Sequence, residues 1–204
     1  MPLQLPIFEL PLVLLPGEQV PLHIFEERYK RMIGQALDRG EPFGIVLRDA
    51  DGARPIGCTA HVTEVLERFA DGRLNIVITG DGPFRVLDRF GDPEEPAAEV
   101  EMLDPGTGGD DAEAREAARE AFRDLAERAS GERPEAEAIA IESAYGLASR
   151  VELPAETKQE LLELRDEDER MRLLARVLVT LQQALDQAED IAERAQSNGK
   201  VRIG

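Results

Sequence analysis

Residues 105–111 read Pro105-Gly106-Thr107-Gly108-Gly109-Asp110-Asp111, a run in which no regular element survives. The hydrophobic pattern changes across it. Before it, β-branched and apolar residues come in short runs bounded by turn residues. After it, alanine, leucine, glutamate and arginine dominate, at helical spacing. One chain therefore has to hold a β-rich subdomain, expected over 1–105, and a helical subdomain, expected over 111–196, with 197–204 as a flexible tail. This is an α+β arrangement.

In the first half, the clearest signal is Ile56 to Phe69, then Ala70-Asp71-Gly72-Arg73, then Leu74 to Thr79: an Asp-Gly pair between two β-rich runs predicts a hairpin. A second turn is expected at Gly80-Asp81-Gly82-Pro83, leading into Phe84 to Phe90, and Ala97 to Leu103 adds a further strand. Phe43 to Leu47 reads as a buried strand. Glu26 to Leu37 reads as a helix with Tyr29, Met32, Ile33 and Leu37 on one face and Gly40 as its stop signal.

The second half predicts a helix from about 112 to 129 with Ala114, Ala118, Ala121, Phe122, Leu125 and Ala129 on its inner face, ended by Ser130-Gly131. Pro134 then starts a helix carrying Ile139, Ile141 and Leu147. Leu153-Pro154 precedes a short helix bearing Leu161, Leu162 and Leu164. Asp166 and Glu169 have capping-box spacing for a long last helix. Along that helix Met171, Leu174, Leu178, Leu181, Leu185, Ala188, Ala192 and Ala195 follow at steps of three and four. Such a seam packs on neighbouring helices or joins another copy or partner, and Leu174, Leu178, Leu181 and Leu185 are its candidate contacts.

Composition removes several function classes. Forty-two acidic against 24 basic residues leave a net charge of −18, the wrong sign for neutralising phosphates or docking on anionic lipid. Prolines at 2, 6, 11, 16 and 21 forbid the helix that a signal peptide or a membrane span needs. The single cysteine, Cys58, excludes an internal disulfide and fits a reducing cytoplasm. No Gly-Lys-Ser/Thr loop or framed serine is present. Cys58 and His61 fall on opposite faces of a strand, as do His61 and Glu64, which argues against a local nucleophile–base pair or metal pair. Neither catalytic residues, metal nor cofactor is expected.

A set of blocks carries a family resemblance: Leu5-Pro6-Ile7-Phe8, Leu14-Leu15-Pro16-Gly17, Pro21-Leu22-His23-Ile24-Phe25-Glu26-Glu27-Arg28-Tyr29, Phe43-Gly44-Ile45-Val46, Ile56-Gly57-Cys58-Thr59-Ala60, Asp71-Gly72-Arg73 and Gly82-Pro83-Phe84-Arg85-Val86. In the second half, Leu153-Pro154-Ala155-Glu156-Thr157-Lys158 opens another. In order and spacing they resemble the N-terminal domain of Lon proteases over about residues 3–190. The resemblance implies a PUA-like β-barrel joined to a helical bundle, and a role in polypeptide recognition and oligomer assembly. Those proteases continue into ATPase and peptidase modules whereas this chain stops at Gly204, so the expectation is a free-standing, non-catalytic module that binds exposed or unfolded polypeptide and hands it to a proteolytic or chaperone partner. An RNA-binding PUA-like module is the alternative, and the charge disfavours it. Candidate recognition residues, drawn from the blocks and the strand after them, are His23, Phe25, Arg28, Tyr29, Arg85 and Arg89. The last helix is the candidate surface for any pairing of copies. Gly44, Gly57 and Gly80 are expected where strands bend or approach closely, and Phe25 with Tyr29 is expected to staple the helix to the sheet.

Overall fold

The computed structural model describes residues 2–92, 94–106 and 110–198. Its elements are β1 (Leu3–Leu10), β2 (Gln19–Ile24), α1 (Glu27–Arg39), β3 (Phe43–Asp49), β4 (Gly52–Ala53), β5 (Ile56–Arg68), β6 (Leu74–Phe90), β7 (Ala97–Met102), α2 (Ala112–Ser130), α3 (Ala136–Ile139), α4 (Ala144–Ala148), α5 (Ala155–Glu163) and α6 (Glu167–Asn198). None of the described helices is long and apolar enough to cross a membrane. The chain folds as two compact units: residues 1–109 with 142–167, and residues 110–141 with 168–204.

In the first unit the strands close into a ring. β1 pairs antiparallel with β7, β7 with β6, β6 with β5 and β5 with β3, and a parallel pairing of β3 with β1 completes it. Closure removes free edges from this part of the sheet. Leu5, Ile7, Val46, Phe84, Ala98 and Val100 fill its interior. Glycines let the backbone in: a Cβ on Gly57 would lie 2.3 Å from the Ile45 carbonyl oxygen, and one on Gly44 2.7 Å from both Ile7 and Phe84.

The expected turn at 80–83 does not form. β6 runs unbroken through it, and the pairing with β5 slips instead, Thr59 meeting Gly82 and Ala60 meeting Gly80. Asp81 is the extra residue of a β-bulge, which bends a strand without ending it. Gly80 sits too close to Leu15 for any side chain, its missing Cβ falling 2.2 Å from that carbonyl oxygen.

The expected subdomain boundary also differs from the observed units, since 142–167 returns to the β-rich unit. Lys158 on α5 pairs with the buried carboxylate of Glu18, and Gln159 donates to the Ile56 carbonyl at 3.2 Å. Arg165 reaches the Asp104 carbonyl. The helix expected from Pro134 is two short ones, α3 and α4, and Ile141 between them is 94% exposed. α5 stops at Glu163, because Leu164 is already extended at ψ 136.

In the second unit α2 and α6 run parallel. Asp111 meets Arg172 and the Ala121 carbonyl meets Gln182, both at an offset of 61 residues. Ala118, Ala121, Phe122 and Leu125 of α2, Ile139 of α3, and Met171, Leu174 and Leu178 of α6 are buried. The seam then surfaces: Leu181 is half-buried and Leu185 is 42% exposed. Of the expected tail, 199–204 lies outside the described residues, and Ser197 and Asn198 belong to α6.

Leu174→Ala is expected to lower unfolding free energy by roughly 2–5 kcal/mol through the cavity it leaves. Leu185→Ala should change it by no more than about 0.5 kcal/mol. Urea denaturation of both variants checks the difference.

Candidate functional site

Beyond the ring, β2, the first half of β6 and the second half of β5 form a three-stranded antiparallel ribbon. Because paired residues share a face, its register assigns the side chains. Ile24 with Leu74, Leu22 with Ile76 and Val20 with Ile78 lie on one face, where Ile24, Leu74, Ile76 and Ile78 are buried. The other face carries His23 beside Asn75 and Glu67, Pro21 beside Val77 and Glu64, and Gln19 beside Thr79 and His61. Along it, His23 Nδ1 lies 2.6 Å from Asn75 Oδ1, and Asn75 Nδ2 donates to Glu67 at 3.2 Å. This fixes the imidazole plane.

That plane orders an aromatic cluster at the end of the ribbon. The His23 ring stacks on Phe25 with centroids 6.0 Å apart and planes inclined by 20°, and meets Phe69 edge-on, also at 6.0 Å. The Arg73 guanidinium lies 4.9 Å over the Phe69 ring. Phe25 is 60% exposed. It therefore does not staple the helix as expected, and stands in solvent on a fixed backbone between β2 and the start of α1.

The β5–β6 hairpin supplies the other half. Gly72 has φ +83°, the left-handed geometry that favours glycine, and the Phe69 N–H donates to the Arg73 carbonyl at 2.9 Å. The Asp71 carboxylate accepts the Arg73 backbone N–H at 3.2 Å and its guanidinium at 2.7 Å. Lys30 of α1 donates to the Asp71 carbonyl at 3.1 Å and moors the turn.

The remaining sequence candidates are dispersed. Arg28 pairs with Glu26 at 2.9 Å and lies 4.4 Å over the Tyr29 ring. Tyr29, expected at the surface, is only 4% exposed. Its ring centroid sits 3.8 Å from that of Phe8, and burial raises its hydroxyl above the ordinary 10.0. Of the expected pair only Tyr29 packs inward, and Ile33 is the other buried residue of α1. Arg85 and Arg89 occupy the opposite end of β6, paired with Glu101 at 3.7 Å and Glu9 at 2.5 Å. The structure thus joins His23 and Phe25, adds Phe69 and Arg73, which the sequence reading passed over, and separates Arg85 and Arg89. The hairpin turn was a signal for half of this, since residues flanking an Asp-Gly turn face each other.

Neither histidine meets Cys58. The thiol donates to the Thr59 carbonyl, is fully buried, and is pushed far above its ordinary range by that burial. His61 instead lies 2.7 Å from Asp81. Among the described residues no three His, Cys, Asp or Glu side chains converge to hold a metal ion.

The family model of the ATP-dependent protease La (LON) substrate-binding domain matches residues 4–180. The chain belongs to this family. Solved Lon domains share the fold. The crystal structure of a Lon N-terminal domain protein from Xanthomonas campestris superposes with a TM-score of 0.66 at 24% identity, over 84% of this chain and 96% of that one. The N-terminal domain of Mycobacterium avium complex Lon protease gives 0.68 at 20% identity, over 86% and 98%. The matched span of the Lon substrate-binding family takes in the whole ring, the ribbon and α2–α5.

Asp71 provides a test of the hairpin. The Arg73 backbone N–H, and then its guanidinium, hold the Asp71 carboxyl below the usual carboxylate range. A lowered folded-state pKa gives stability that is present above the unfolded value of about 3.9 and lost as pH falls through the folded value. Asp71→Asn is therefore expected to lose less stability than wild type between pH 7 and pH 3, as read from urea midpoints.

Proposed function

We propose that this chain binds exposed or unfolded polypeptide segments at the aromatic end of the ribbon and presents them to a proteolytic partner. The observation that carries the reading is Phe25, a large apolar ring 60% exposed and stacked beside the His23 ring. An exposed aromatic surface of this kind suits apolar side chains of a partner chain. Arg73 over Phe69 adds a cation at the rim, while Asn75 and Glu67 offer hydrogen-bonding groups beside it. Membership of a substrate-binding family supports the same ligand class.

The free strand edges are poor alternatives for docking by strand addition. Pro21 lacks an N–H in the middle of β2, and the second half of β5 slips register twice, at Val62/Glu64 and at Val65/Glu67. Both are devices that discourage a further strand. Side-chain recognition on the ribbon face is the better account.

Phe25→Ala is expected to weaken binding of fluorescein-labelled, reduced and carboxymethylated α-lactalbumin by about tenfold or more, in line with loss of a central aromatic contact. The thermal midpoint should stay within a degree or two of wild type, since an exposed side chain is removed. Fluorescence anisotropy gives the affinity. Equal affinity in the variant would reject this site, and tighter binding of a single-stranded RNA than of the unfolded chain would reject the ligand class.

A further inference from the structure

Four arginines lie along α2, and three have partners that account for them. Arg115 meets Asp168 at 3.0 Å, Arg123 meets Glu120 at 2.9 Å and donates Nε to the Pro134 carbonyl at 2.8 Å, and Arg128 meets Glu189 at 2.6 Å and Asp186. Arg119 has no hydrogen bond or ion pair among the described residues, although its Nε is buried. Taking a guanidinium N–H from water without a partner is unfavourable, so such a group calls for an explanation. This residue also lines a cleft.

The cleft lies within the second unit, between α2 and the segment around α3. Glu116, Arg119 and Arg123 form one wall, and Glu137 and buried Ile139 the other, with Ala136 and Ala140. Its volume is about 190 Å³. That falls short of the roughly 300 Å³ at which drug-sized sites begin, and it suits one amino-acid residue. The Arg123 guanidinium is already committed to Glu120, which leaves Arg119 as the free cation of the wall.

We propose that this cleft binds the C-terminal carboxylate of a polypeptide. A guanidinium fork matches a carboxylate in geometry and charge. Glu116 and Glu137, neither ion-paired with Arg119, tolerate one negative charge at the fork and oppose the second charge of a phosphate. Ile139 and the two alanines give an apolar wall for a side chain on the carbon that bears the carboxylate. That combination is the last residue of a chain ending in an apolar amino acid. The assignment rests on the polypeptide-binding reading only for the source of the carboxylate, and it uses none of the aromatic cluster.

The test is calorimetric titration of the full chain with N-acetyl-Ala-Ala-Leu as the free acid, with the same peptide as its C-terminal amide, and with sodium acetate. The Arg119 Nε–H resonance is followed by NMR in parallel. The free acid is expected to saturate and to shift that resonance. The amide and acetate should each bind at least tenfold more weakly. Arg119→Met, which keeps the stem, should lose at least tenfold, and Arg119→Lys less than Arg119→Met. Equal binding of acid and amide, unchanged binding by Arg119→Met, or no saturable binding overturns the site. Acetate binding as tightly as the peptide acid overturns the terminal-residue assignment. If Arg119→Met does not fold, the acid–amide comparison on wild type decides. Because no arm involves Phe25, failure here leaves the aromatic reading to its own test.

Discussion

The continuity of β6 is what the first unit depends on. This 17-residue strand is paired with β5 along most of its length, while its other edge pairs first with β2 and then with β7. The ring and the ribbon are therefore two ends of one strand. Its passage from one to the other goes through Gly80, whose N–H donates to the Glu18 carbonyl at 3.0 Å and whose carbonyl accepts the Gly17 N–H at 2.8 Å. A side chain there would collide with Leu15. The same loop is closed by Glu18, which accepts the Leu15 N–H at 3.0 Å and the Lys158 ammonium. One glycine and one buried carboxylate thus couple β6, the loop before β2 and α5.

Much of this was legible because the signals are local. The Asp-Gly hairpin, the stop at Gly40, the helix ending at Gly131 and the proline before α5 each act within a few residues, and each forms. Gly44, Gly57 and Gly80 are close approaches, one of the two roles expected of them. The family likeness, carried by the order and spacing of separate blocks, implied the α+β layout that ring and helices display.

The misses share a cause, which is that burial in sequence says nothing about the partner. The short helix bearing Leu161 and Leu162 was legible and both are buried, yet nothing in them says that α5 serves the β-rich unit, where Gln159 bonds a carbonyl 103 residues earlier. Gly80-Asp81-Gly82-Pro83 looks like a turn, and only the strands on both sides show that it is a bulge. Ile139 and Ile141 have similar local settings, but one is buried and the other bare. The aromatic cluster is the clearest case: Phe69 and Arg73 are neighbours by a local rule, but His23 joins them only through the pairing of β2 with β6, which no short-range signal encodes.

Phe25 differs from an incidental exposed residue in the cost of using it. Burying a flexible side chain on binding gives up rotamer freedom, which for long side chains amounts to about 0.5–1.5 kcal/mol each. The Phe25 backbone is set by the end of β2 and the extended Glu26 that caps α1, at φ −72° and ψ 136°. Its ring rests on a histidine that is itself held by Asn75. The backbone position is established before any partner arrives, so less ordering is needed to bury apolar area there. In a chain of net charge −18, acidity also limits non-specific association with other anionic molecules.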